Sequence, residues 1–446
     1  MAANIVIIHV DNLGMGELGC YGGGIVRGAP TPRIDALARE GHQLWHYIAE
    51  PQCSPSRSAL LTGRHAIRSG TYAIPEAGGT GGLIGWERTL GEQLHDAGYA
   101  TTCLGKWHLG AEHGRWPTDH GFETFYGPAR TYTECLWPED PWYRPGRDPE
   151  SFMVEGTIAD GVRELTDERL TLERRRDVDA DYLDRATAFM ADSVREEQPF
   201  FLYFNHSMLH MPTIPRPEFA GSTGQGDWAD CLAELDADVG VLLDTIDDLG
   251  IGDDTIVIFA GDNGAEDNQP WRGSSGVFDG SYFSSSEGGL RTPCLVRWPG
   301  VVAAGQVSNQ LVHQVDLFTT LLGWAGVPVP EDREIDGLDQ RDFLSGTTRE
   351  SAREGCIVWV RDQVHAVKWH DFKVVYRRQQ HFRDAPETLG YPDVVNLTID
   401  PKERERYTAG LLHTWVPFHA RRLLDDFSAS CVREPVVPAG APVDHR

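Results

Sequence analysis

The sequence predicts an α/β protein: a large, mostly parallel sheet between layers of helices, followed by a small antiparallel subdomain. Three observations carry this expectation. Apolar runs of strand length at Asn4–Val10, 199–204 and 255–260 are hydrophobic at nearly every position, as strands buried on both faces are. Segments with helical apolar spacing alternate with them, at 31–41, 180–197 and 229–249, which is the pattern of layered α/β folds. From Cys356 onward the pattern changes to short β runs, at 357–360, 364–369, 372–376 and 394–397.

The first run ends at Asp11-Asn12, before the glycine turn Leu13-Gly14-Met15-Gly16. Open α/β sheets place their sites at such carboxyl ends. Thr31 before Pro32 caps the next helix and Gly41 ends it. In Cys53-Ser54-Pro55-Ser56-Arg57, Pro55 suits a first helical turn because it has no N–H to lose. Residues 56–61 are compatible with helix and Gly63 with a stop. Cys53 then falls just before a helix N-terminus, where free N–H groups favour an anion. Arg57, one turn on, adds a planar cation for an oxyanion.

The glycine-rich 78–82 reads as a flexible loop, 89–98 as a helix and 99–104 as a strand. That strand leads into Gly105-Lys106-Trp107-His108-Leu109-Gly110. Residues 110–180 read as irregular active-site loops, in which Trp137, Trp142 and Tyr143 either line an aromatic pocket or anchor packing. The 199–204 strand runs into Asn205-His206-Ser207-Met208-Leu209-His210-Met211-Pro212; His206 is either behind the site or a hydrogen-bonded core histidine. In the 229–249 helix, apolar residues at 232, 235, 239, 242, 246 and 249 form the inner stripe, and its acids read as a solvated face. The third strand ends at Gly261-Asp262-Asn263-Gly264, and Ser286-Glu287-Gly288-Gly289-Leu290-Arg291-Thr292-Pro293 precedes another apolar run. Helices are expected at 313–326 and 417–427, and a surface-hugging or disordered tail after Val432.

A chain of 446 residues is ample for a large core. A formal charge of -27 argues against nucleic acid or an anionic membrane as partner. It equally disfavours long polyanionic polysaccharides, unless the cleft is locally basic, and leaves small monoanions unhindered. The start, Met-Ala-Ala-Asn, enters the first strand without a basic region or cleavage site, so the expected location is cytoplasmic. No apolar run reaches membrane-spanning length. The eight cysteines show no CxxC pairing and read as reduced core thiols, Cys53 excepted. The sequon at Asn396 reads as coincidental.

The stretch from Cys53 through Thr62-Gly63-Arg64, together with the Gly105–110 hexapeptide, the Asp262-Asn263 pair and the Glu287–Pro293 segment, resembles the formylglycine-dependent (type I) sulfatases of the alkaline phosphatase superfamily. The similarity covers roughly residues 4–401. It implies an alkaline phosphatase-like fold, with a large mixed, mostly parallel sheet sandwiched by helices over 1–350 and a small antiparallel-sheet subdomain over 351–446. It implies a sulfuric ester hydrolase acting on aryl or alkyl sulfates. In that family the cysteine, here Cys53, is oxidised by a formylglycine-generating enzyme to an aldehyde whose hydrate is the nucleophile. The implied metal ligands are Asp11, Asn12, the modified residue 53, Asp262 and Asn263. All are oxygens, as Ca²⁺ or Mg²⁺ requires, and the resemblance favours Ca²⁺. A native thiolate would be a soft ligand for a hard ion.

By the same resemblance one hydroxyl of the hydrate attacks sulfur, and the second, deprotonated by His108, expels sulfate. Arg57 holds the hydrate, Lys106 the sulfate oxygens, and His210 protonates the leaving group; both imidazole roles suit neutral pH. The implied partners are a small sulfate ester and the maturing enzyme, and a homo-oligomer stays compatible with the sequence. Two other readings share these motifs: a phosphodiester or phosphonate monoester hydrolase of the same superfamily, and an inactive binding homologue. Retention of Cys53, Arg57, Lys106, His108 and His210 argues against the last.

Two positions depart from the family pattern. Asn12 stands where the common form has a second aspartate, and Tyr282 where many members have a lysine. One negative and one positive charge are lost together, which leaves the expected site charge unchanged. Tyr282 would then offer a neutral donor or a wall, unless Arg272 or Arg291 replaces the lysine.

Overall fold

The computed structural model describes residues 2–74, 81–134, 137–405 and 412–446. Among them the main strands, in chain order, are β1 (Asn4–Val10), β2 (His42–Leu44), β3 (Tyr47–Ile48), β4 (Ala100–Gly105), β5 (Thr124–Pro128), β6 (Phe152–Thr157), β7 (Gly161–Arg169), β8 (Phe200–His206), β9 (Thr255–Gly261), β10 (Cys294–Arg297), β11 (Gln306–Ser308) and β12 (Val312–His313). Ten of these form one sheet in the order β11-β2-β10-β9-β1-β8-β4-β5-β6-β7, while β3 pairs with β12. The five central strands from β9 to β5 are parallel. Antiparallel β10 lies on one side of them, and β6 and β7 on the other. The sheet is mixed and mostly parallel, as expected.

Alternate residues of β1 point to opposite faces, as strand geometry requires, and both faces are buried. Val6, Ile8 and Val10 join a core with the helices Pro32–Glu40, Leu172–Arg195 and Asp227–Asp248. Ile5 and Ile7 join a second core with the helices Cys53–Thr62, Leu90–Asp96 and Val315–Ala325. Burial on two sides explains why these strands read as continuous apolar runs.

The structure corrects several expectations. Residues 110–180 are not all loops: β6 and β7 form a hairpin that extends the sheet, and the following helix begins at Leu172, eight residues before position 180. Position 53 is the first residue of its helix rather than the residue before it, with Gln52 as N-cap. The acids of the Asp227–Asp248 helix are not all solvated, for Glu234, Asp236 and Asp238 are buried. Asp236 accepts from the backbone N–H groups of Arg33 and Ile34 at 3.0 and 2.9 Å, and so caps the Pro32–Glu40 helix. Asp238 pairs with Arg216 and with His206 Nε2 at 3.1 Å, which makes His206 a hydrogen-bonded core histidine. Trp142 is 87% exposed, whereas Trp137 packs on the core.

The small sheet consists of β13 (Gly355–Val360), β14 (Gln363–Trp369), β15 (Phe372–Arg378) and β16 (Glu387–Asn396), all antiparallel in that order. The helix Val416–Arg433 packs on it through Val416 and Ala420. The tail hugs the surface: Val437 and Ala441 are buried against Ile84, and Arg115 Nη2 donates to the Ala441 carbonyl at 2.6 Å. The seven described cysteines are free; Cys135, like 78–80 of the expected glycine loop, lies outside the described residues. No described helix is long and apolar enough to cross a membrane.

Candidate active site

The parallel register brings the motif residues to one edge. Val10 stands opposite both His206 and Gly261, and Gly105 opposite Asn205. Each strand therefore delivers its next residues, Asp11-Asn12, Asp262-Asn263, Lys106 and the 207–210 turn, to the same end of the sheet. The helix Cys53–Thr62 meets this edge with its first turn, tied down by Ser54 Oγ donating to the His108 carbonyl at 2.8 Å. Asn12 and His108 both sit in left-handed backbone, at φ 54° and 60°. Both residue types tolerate that region better than most.

Cys53, Arg57, Lys106, Asp11 and Asp262 form one buried cluster. Arg57 donates through Nη2 to Asp262 Oδ2 at 2.9 Å and Asp11 Oδ2 at 3.3 Å, and through Nη1 to Asn205 Oδ1 and the Lys106 carbonyl, both at 2.7 Å. Lys106 Nζ donates to Asp11 Oδ2 at 2.8 Å. Burial opposes charge on every member. In Asp11 the cations Lys106 and Arg57 overcome it and hold the carboxyl well below its usual range. In Asp262 burial and the neighbouring Asp11 charge prevail, raising it to about 6. The Cys53 thiol, 3.5 Å from Asp11 Oδ1, is pushed far up by burial and by that carboxylate. It is thus protonated at neutral pH and a poor nucleophile as it stands.

The two histidines are buried neutral imidazoles. Burial and then Lys106 bring His108 down to about 4. Neither of its ring nitrogens has a hydrogen-bond partner, and Glu134 Oε1 approaches Nε2 at 3.7 Å. Burial brings His210 down to about 3. Its Nδ1 faces the Met211 carbonyl at 2.7 Å, which fixes the proton there and leaves Nε2 for Thr131 Oγ1 at 3.2 Å and the cluster. The ligating atoms of Asp11, Cys53 and His210 lie within 4.8 Å of one another.

The residues present fit a hard cation. Asn263 Oδ1 is buried without a donor, and the oxygens of Asp11 and Asn12 face the Cys53 sulfur at 3.5 and 3.9 Å. Buried oxygens that converge, one of them without any donor, suit an ion with oxygen ligands.

The geometry meets its relatives here. The sulfatase family model matches residues 3–327. The chain belongs to the sulfatase family. A second model, N-sulphoglucosamine sulphohydrolase C-terminal, matches residues 273–410. The chain is 38% identical to N-acetylgalactosamine-6-sulfatase of Rattus norvegicus over 75% of its length and 64% of that protein. It is 36% identical to arylsulfatase A of Homo sapiens over 77% of its length and 68% of that protein. It thus spans about two-thirds of these curated relatives. Among solved structures, the PsFucS1 sulfatase from Pseudoalteromonas sp. superposes with a TM-score of 0.91 at 30% identity, covering 98% of this chain and 92% of that one.

As a sulfatase site, the cluster departs where the sequence does. Neither arginine replaces the missing lysine: Arg291 is bound to Glu287, and Arg272 is a half-exposed residue near Asp267. Tyr282 stands at the cluster wall, its hydroxyl 3.4 Å from Gln52 Nε2, and burial and then the proximity of Cys53 push its phenol far up. It remains a neutral donor. Sequence reasoning missed Asn205, Thr131, Glu134 and Glu266. None of the four carries a local pattern that ties it to the cluster.

Proposed function

We propose that this sulfatase-family chain hydrolyses small sulfate monoesters, with residue 53, oxidised from cysteine to formylglycine, as nucleophile and a bound Ca²⁺ as cofactor. The observation that carries this reading is the Cys53 thiol itself, which is buried, protonated and faces carboxylate oxygens. A thiol so placed is unfit for attack or for hard-metal ligation, and an oxygen at that position serves both. Asp11, Asn12, Asp262 and Asn263 would hold the ion, which when bound would draw charge from the sulfate oxygens.

The chain's own residues do the rest. Arg57 and Lys106 balance the charges of Asp11 and Asp262, so a divalent ion makes the site net positive and attracts a monoanion. Lys106 Nζ is directed at the sulfate oxygens and Arg57 orients residue 53. His108, neutral and with both nitrogens unpartnered, acts after sulfur transfer. It takes the proton of the second hydroxyl of residue 53, whose bond to the sulfated oxygen then breaks, so that sulfate leaves and the aldehyde re-forms. As the bond from residue 53 to sulfur forms and the ester S–O bond breaks, His210 Nε2 gives its proton to the leaving oxygen. Bound anionic substrate supplies the charge that brings that proton to His210.

The maturing enzyme must reach Cys53 before the chain folds, because the residue is buried. The test is a panel of sulfate, phosphate and phosphonate esters offered to protein coexpressed with a formylglycine-generating enzyme. Sulfate monoesters should turn over fastest; faster phosphonate or phosphodiester hydrolysis would overturn the assignment.

A further inference from the structure

Asn12 lacks the charge of the common aspartate, and the structure shows what lies behind it. Glu266, on the loop after β9, is 2% exposed, and its Oε2 accepts from Asn12 Nδ2 at 2.8 Å. Its Oε1 accepts from the N–H groups of Asp267 and Asn268 at 2.9 and 3.1 Å and from Asn268 Nδ2 at 2.7 Å. The loop is pinned as well, with Tyr282 N donating to the Ala265 carbonyl and Gly273 N to that of Glu266, both at 2.8 Å.

Every hydrogen bond to Glu266 comes from an N–H group, so its carboxyl only accepts, as an ionised one does. Glu266 therefore draws the NH₂ of Asn12 backward and turns Oδ1 forward, toward the Cys53 sulfur at 3.9 Å and Asn263 Nδ2 at 2.6 Å. The Asn12 backbone N–H, bonded to Asp262 Oδ1 at 3.0 Å, holds the other end. A charge-assisted bond from the amide nitrogen also enriches the amide oxygen in electron density.

We propose that Glu266 is a positioning residue of the metal site: one hydrogen bond behind Asn12, it supplies the negative charge the amide lacks and fixes the amide oxygen toward the cation. Asn12 and Glu266 together do the work of one aspartate, divided between an oxygen that faces the metal and a charge that does not. The expected cancellation between Asn12 and Tyr282 then fails. The negative charge is kept one hydrogen bond behind the amide while no lysine stands at 282, so the two departures do not offset each other. This rests on the reading of Asp11, Asn12, Asp262 and Asn263 as a divalent-cation site.

The experiment is calorimetric titration of Ca²⁺ into EDTA-treated protein, with thermal unfolding in parallel. Wild type should bind one ion. Glu266→Gln should weaken binding by about 10- to 100-fold, the usual effect of losing a partner behind a ligand. Asn12→Asp alone sets two carboxylates against each other and should lower the melting temperature of the metal-free protein. The double variant, Asn12→Asp with Glu266→Gln, exchanges charge and amide; it should bind Ca²⁺ within about threefold of wild type, a non-additive cycle. Wild-type affinity in Glu266→Gln, or strictly additive effects, would overturn the proposal while leaving the metal site intact. Wild type that binds neither Ca²⁺ nor Mg²⁺ would overturn the metal reading itself. Should Glu266→Gln fail to fold, the double variant decides: recovery of fold and affinity supports the exchange, and recovery of neither refutes it.

Discussion

Two clusters of buried charge, one at the sheet edge and one beside the small sheet, differ in how completely they are satisfied. At the junction with the small sheet, Glu287 receives Lys368 and Arg291 on Oε2, each at 2.6 Å, and Lys373 on Oε1 at 3.2 Å. Lys373 also donates to the Ser285 carbonyl at 2.6 Å and lies 2.8 Å from Glu403. None of these side chains leaves a buried polar atom without a partner. At the sheet edge, by contrast, Asn263 Oδ1, Arg57 Nε and both ring nitrogens of His108 are buried orphans. Unpaired buried polar groups cost stability, and at this edge a bound ion and substrate would complete them. The Glu-Gly-Gly-x-Arg segment thus ties the two sheets together, and the Cys53 region is the one proposed for chemistry, although both match motifs of the same family.

The sharpest contrast comes from Cys53→Ala. Turnover should fall by about 10⁴-fold or more, the scale of losing a nucleophile, while the urea midpoint barely moves. A comparable loss of stability would erase the distinction. Glu287→Gln should do the reverse. It leaves three buried cations short of a charge, and breaking a buried pair costs about 3–5 kcal/mol, read from urea unfolding; KM of the surviving folded enzyme should hold.

Asp336 belongs with the satisfied side, for it accepts from Arg68 Nε and the His65 N–H, both at 2.8 Å. Burial would raise its carboxyl, but His65 and Arg68 hold it at about 2, below the usual 3.8. A depressed carboxyl stabilises the fold above its unfolded pKa, and that stabilisation is lost as pH falls from about 4 to about 2. Asp336→Asn should therefore remove about 2 kcal/mol at neutral pH and flatten the acid limb of stability. An unchanged acid limb would remove Asp336 from the comparison. The smallest effect is expected of Tyr282→Phe, which keeps the wall and removes the donor: a loss of kcat/KM below about tenfold, the scale of one neutral hydrogen bond.

Much of this was legible in the sequence. β1, β8 and β9 announce themselves because both faces are buried, and their ends carry Asp11, Asp262 and the turn to His210. The β6–β7 hairpin was not legible, since β7 has largely exposed or half-buried positions with charges on both faces and no apolar alternation to mark it. The buried acids of the Asp227–Asp248 helix were misread for another reason. Their partners, Arg216 and the end of the Pro32–Glu40 helix, are separated from them in sequence, by 203 positions for Arg33 and Asp236. Glu266 shows the same limit, for nothing local ties it to Asn12, 254 positions earlier. Motifs reveal the groups that touch substrate, and only the fold reveals the groups that hold them.

The most direct test of the proposed chemistry is the oxidation state of residue 53 in protein of measured activity. Preparations with graded coexpression of the maturing enzyme should be digested and the peptide containing residue 53 weighed. Sulfatase activity should rise in proportion to the fraction converted, each converted chain having lost sulfur and two hydrogens and gained one oxygen. Full activity in protein whose residue 53 is entirely unmodified cysteine would contradict it.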